Sequence, residues 1–122
     1  MNLGVRYYIY LIEELGIKMS EARANDDRNA TKYNKLFKER QIIIDNLHNN
    51  VEMARDVYKE LLNSKNSLTL VNTSANCLRL GVFVDEAISI LENLSKKSLG
   101  EDSFNAKIVL KVYRGEYLGS HL

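Results

Sequence analysis

The stretch Ala30–Leu62, ATKYNKLFKERQIIIDNLHNNVEMARDVYKELL, decides the fold. Assigning Ala30, Phe37, Ile44, Val51 and Tyr58 to heptad position a puts Tyr33, Arg40, Leu47, Ala54 and Leu61 at position d. All but Arg40 are apolar or aromatic, and Leu36, Ile43 and Val57 widen the stripe at position g. Apolar side chains recurring at three- and four-residue intervals line one side of a helix. A stripe this broad suits a helix that meets two neighbours in a bundle rather than one in a two-stranded zipper. The spacing therefore predicts a long amphipathic spine helix over about 30–62, with one weak point at Leu47-His48-Asn49-Asn50, where helix propensity is poor.

The same spacing recurs on both sides. Val5, Tyr8, Ile12 and Leu15 mark a first short helix, and Gly16 reads as its stop. Residues 18–29 are polar and read as a loop or a solvated helix. Downstream, Leu70, Thr73, Cys77, Leu80, Val84, Ala87, Leu91 and Leu94 form a second seam, interrupted at Gly81-Val82-Phe83-Val84. Phe104, Ile108 and Val112, with Ala106, Val109 and Tyr113, predict a last helix, a hairpin across Arg114-Gly115 being the alternative. The expectation is one all-α domain over 1–122, a bundle of three to five helices. The chain contains no proline, which agrees with helices rather than strands.

A loose internal echo gives the alternative fold. Leu15-Gly16 precedes Ser20-Glu21-Ala22, and Leu80-Gly81 precedes Asp85-Glu86-Ala87. The stretch from Leu80-Gly81 to Leu94 and the string Val112-Tyr113-Arg114-Gly115-Glu116-Tyr117 loosely resemble tetratricopeptide repeats, which would imply a solenoid of short helix pairs.

Composition excludes more than it assigns. A formal net charge of +1 leaves any nucleic-acid or membrane contact to a local patch. A single cysteine, Cys77, precludes an intrachain disulfide or a multi-cysteine metal site and suggests a reducing, cytoplasmic setting. The longest apolar runs fall short of the roughly 20 residues of a membrane span. Paired carboxylates such as Glu13-Glu14 and Asp85-Glu86 point about 100° apart on a helix and do not converge on one ion. No metal or cofactor is expected.

Histidine is scarce. His48 reads as a solvated or capping residue. Arg114 and His121 stand at a spacing that resembles the ribonuclease motif of HEPN domains, themselves small helical bundles. That resemblance covers two residues and implies a ribonuclease as one alternative function. The expected function is non-catalytic: an interaction or assembly module that forms a homodimer or docks to a protein partner. Its surface would be Leu36, Phe37, Ile43, Ile44, Leu47, Val51, Tyr58 and Leu61, which are core residues if the bundle encloses them. A further alternative is a small nucleic-acid-binding or regulatory protein. It would use two basic rows for phosphate contact, Arg28, Lys32, Lys35 and Lys38 opposite the apolar seam, and Lys107, Lys111 and Arg114 on the last helix. Arg40, charged at a seam position, either snorkels from a short core or meets a carboxylate across an interface.

Overall fold

The computed structural model describes residues 2–24, 30–97 and 100–116, and among these every regular element is a helix. Six helices follow in order: α1 (Leu3–Ala24), α2 (Ala30–Leu47), α3 (Val51–Leu61), α4 (Ser67–Leu80), α5 (Val84–Ser95) and α6 (Glu101–Tyr113). The fold is an all-α bundle. Two corrections to the sequence reading concern the count, which exceeds three to five, and the spine.

The stretch 30–62 is not one helix. His48, Asn49 and Asn50 form a turn, and the Asn50 side chain accepts a hydrogen bond from the Met53 backbone N–H at 3.1 Å, starting α3. Asparagine competes with the helix for backbone hydrogen bonds, so the run Asn49-Asn50 ends one helix and caps the next. The second seam breaks in a related way at Gly81. This glycine adopts φ +73°, the Val82 N–H bonds back to the Cys77 carbonyl and the Gly81 N–H to that of Leu78, a Schellman closure of α4. Phe83 then takes φ 49° immediately before α5. The last segment is helical, with Glu101 and Asp102 in its first turn, where acids complement the dipole.

α1 does not stop at Gly16. It continues to Ala24, burying Met19 and Ala22. Gly16 faces α4 so closely that an added Cβ would lie inside the contact distance of Thr69 Oγ1. Its missing side chain serves helix packing rather than helix termination. Residues 25–29, the rest of the polar stretch 18–29, lie outside the described residues.

The centre of the bundle is α4. It packs against α1, α3, α5 and α6, and it is buried nearly all round. α2, the expected spine, is a flank. It packs along α1 and meets α3 at its end, but among the described residues its backbone comes within 8 Å of neither α4 nor α6. α3 and α5, which a stack of helix pairs would bring together, do not approach either, so the chain closes into a bundle and not a solenoid.

The principal core joins Val5 and Ile12 of α1, Ile44 and Leu47 of α2, Ala54, Val57, Tyr58 and Leu61 of α3, and Val71, Cys77, Ala87, Leu91, Leu94, Ala106 and Leu110 from α4 to α6. A smaller core of Leu15, Met19, Ala22, Leu36 and Leu68 fixes the far end of α1 between α2 and α4. Arg23 completes that end: its guanidinium makes two hydrogen bonds to the Asp102 carboxylate, at 3.0 and 3.1 Å, and an ion pair with Glu101 at 2.9 Å. Burial alone would lower the pKa of Arg23, but the two carboxylates outweigh it and hold the pKa above its ordinary value. The C-terminal end of α1 is thus tied to the N-terminal turn of α6.

Candidate functional site

The apolar residues expected at an interface on 30–62 divide by position. Leu36, Ile44, Leu47, Tyr58 and Leu61 are buried inside the chain's own core, and Ile43 is half-buried. Phe37 and Val51 are exposed, on separate helices on either side of the turn. No continuous free apolar face remains along α2 and α3, because the turn at 48–50 redirects the seam into the core.

A free apolar row lies instead on α1. Leu3 is 81% exposed, Tyr7 63%, Tyr10 57% and Ile17 42%. Positions 3, 7, 10 and 17 follow helical spacing, so all four project from one side of one helix. The opposite side carries the expected buried face, with Val5, Ile12 and Leu15 enclosed. Sequence reasoning missed the outer row because α1 is apolar on nearly every side between Val5 and Ile12, and spacing alone does not say which side finds a partner. Arg6 is exposed beside the row. Glu13 flanks its C-terminal half, accepting a hydrogen bond from Ser64 Oγ at 2.6 Å, and half-buried Glu14 falls within the row between Tyr10 and Ile17.

The basic rows are solvent-facing. Lys32, Lys35 and Lys38 are exposed on α2, and Lys107 and Lys111 on α6. Arg114 pairs with Glu92 at 3.3 Å, and its backbone N–H closes α6 on the Leu110 carbonyl. Arg28 and His121 lie outside the described residues. Arg114 therefore has a structural partner, and the pairing with His121 has no described geometry.

His48 is half-buried and reaches toward the core rather than capping a helix. Its Nε2 shares a hydrogen bond of 2.6 Å with the hydroxyl of Tyr58, which is completely buried, and the rings meet edge-on at 5.7 Å. Burial, reinforced by Arg79, lowers the His48 pKa from its ordinary value, and burial raises that of Tyr58. This pair satisfies a buried phenol rather than forming an open reactive centre. Cys77, completely buried, has its thiol pKa pushed up to about 12 by desolvation, with a contribution from Glu86.

Because α2 stands off from α4 and α6, an open cleft of about 250 Å³ separates them. Arg40 lines it and is only 6% exposed. Its Nε and Nη1 have no hydrogen-bond partner among the described residues. Phe37 lies under the guanidinium, with 5.4 Å from the guanidinium carbon to the ring centroid. Burial lowers the Arg40 pKa, yet a guanidinium remains protonated at ordinary pH, so this is a buried positive charge without a matching anion among those residues. Asn72 borders the same cleft, and its side-chain oxygen also lacks a donor.

Among the described residues there is no group of three or more His, Cys, Asp or Glu side chains placed to hold a metal, and no helix is long and apolar enough to cross a membrane. Comparison of the chain with protein-family models, with curated proteins and with solved structures gives no match.

Proposed function

We propose that the chain is a non-catalytic assembly module that forms a homodimer by antiparallel pairing of α1. The observation that carries this reading is the exposed row Leu3, Tyr7, Tyr10 and Ile17. Large apolar side chains aligned on one helix face are a costly surface to leave in water, and burial against a like surface is the usual remedy.

The identity of the partner follows from self-complementarity. A two-fold interface brings the same patch of each subunit together. If the axis passes beside Tyr10, Tyr10 meets its own copy and Leu3 faces Ile17 of the second copy. Arg6 then falls beside Glu13 across the interface, and Tyr7 beside Glu14. With about 100° per residue, Arg6 and Glu13 share one flank of the row, and Tyr7 and Glu14 the other. Arg6 thus gains a carboxylate and Glu14 a tyrosine hydroxyl, twice per dimer. A parallel pairing would instead bring opposite flanks together and set Glu13 beside Glu14 of the second copy, which is repulsive. The contact from Leu3 to Ile17 runs about 21 Å at 1.5 Å per residue. The exposed lysines of α2 and α6 sit on other helices and keep the dimer soluble.

Sedimentation or light scattering tests the reading. The wild-type chain, 14.0 kDa, should have twice that mass in solution. Tyr10→Glu, which places two carboxylates at the axis, should give a monomer with unchanged helix content. Arg6→Glu should weaken the dimer, and adding Glu13→Arg should restore it. A wild-type monomer at all accessible concentrations contradicts the proposal.

A further inference from the structure

Among the described residues Arg40 is the one buried charged side chain, and it sits on the wall of a cleft. An unmatched buried guanidinium is costly, because desolvation is offset only when an anion and its hydrogen bonds are supplied. A second cleft of about 330 Å³ between α4 and α6 adjoins the first, and Ala75, Ile108 and Val109 line both. The second cleft is nearly all apolar, with Leu78, Val112 and Tyr113 along it and Arg79 at its border. One end of the groove therefore demands an anion, and the other offers a surface for hydrocarbon.

We propose that this groove binds a monoanionic carboxylate carried on an aliphatic chain, with the headgroup at Arg40 and the chain lying along α4 and α6. Charge counting selects one negative charge. Arg23, the other cation on the cleft wall, is already matched by Asp102 and Glu101. A dianionic phosphate would find one guanidinium unmatched among the described residues and would meet the Asp102 carboxylate on the same wall. A carboxylate accepts from Arg40 as a charge-assisted hydrogen bond, and the Asn72 amide, turned about its last bond, adds a second donor. The two volumes together fall within the range of small-molecule sites, roughly 300–1,000 Å³. The site is separate from the α1 row and is independent of dimer formation.

Titration calorimetry on the full chain with octanoate tests the inference, with 1-octanol and inorganic phosphate as comparison probes. Octanoate should bind saturably at one site per chain, and 1-octanol should bind at least about tenfold more weakly. Arg40→Met, which keeps the length of the side chain and removes the charge, should weaken octanoate by about tenfold or more while its melting temperature stays at or above wild type. Phosphate should not compete. Absence of saturable octanoate binding at millimolar concentration overturns the proposal. So does equal binding by a folded Arg40→Met chain, or displacement of octanoate by phosphate.

Discussion

The hydroxyl of Tyr58, sealed in the core, finds its hydrogen-bond partner in His48 of the turn between α2 and α3, 2.6 Å away. The bond joins the break in the expected spine to the centre of the core. It also makes stability depend on pH. Burial depresses the His48 pKa in the folded chain below the 6.5 of an unperturbed histidine. The unfolded state then binds a proton more readily than the folded one, so stability is complete above pH 6.5 and is lost as pH falls through the folded value. Chemical denaturation across this range should show the loss in wild type and a smaller loss in His48→Gln.

Gly16 and Thr69 mark the closest approach of α1 to α4. Gly16→Ala should destabilise the chain, because overpacking of about 1–3 kcal/mol outweighs the roughly 1 kcal/mol that alanine gains over glycine in a helix. In a Thr69→Ala background the obstructing hydroxyl is gone, and the nearest remaining atom, the position-69 Cβ, is at an ordinary 3.5 Å. There Gly16→Ala should become neutral or stabilising. A double-mutant cycle by urea denaturation checks the reversal of sign.

α4 carries buried hydroxyls without partners among the described residues, at Thr69, Thr73 and Ser74. Thr73 is completely buried. Thr73→Val keeps the shape and removes the unmatched polar group, so it should stabilise by about 1 kcal/mol. The two residues have similar helix propensity, so the gain measured by denaturation reports the hydroxyl.

Cys77 should be silent toward alkylation in the folded chain at pH 8, since its thiol is enclosed and its pKa is pushed up to about 12. Iodoacetamide should label it fully in denaturant. Fast labelling under native conditions would show that the α4 core opens readily.

The bundle was legible because its seams are regular. Val5, Ile12 and Leu15 are buried as spaced, and the seam through Thr73, Cys77, Ala87, Leu91 and Leu94 is buried across its break. Local chemistry at Asn49-Asn50 and at Gly81 marked where helices stop. Gly16 was misread because a glycine that ends a helix and one that admits a neighbouring helix look alike without Thr69 in view. The spine was misplaced for a similar reason. The stretch 30–62 has the longer apolar seam, but the centre went to α4, whose small Thr, Ser and Cys side chains allow close approach to its neighbours. Arg40 stood out as the polar member of a seam, yet its lack of a partner depends on α2 standing away from α4 and α6. Pairwise spacing within α2 carries no trace of that separation.

Disulfide trapping across the α1 pair tests the central claim most directly, since Cys77 is buried and does not interfere. Under mild oxidation Tyr10→Cys should cross-link to its own copy. Leu3→Cys alone should not, but an equimolar mixture of Leu3→Cys and Ile17→Cys should join as a mixed dimer. Self-linking of Leu3→Cys as fast as Tyr10→Cys would establish a parallel arrangement. Failure of every variant to cross-link, with wild type sedimenting as a monomer, would contradict assembly through α1 altogether.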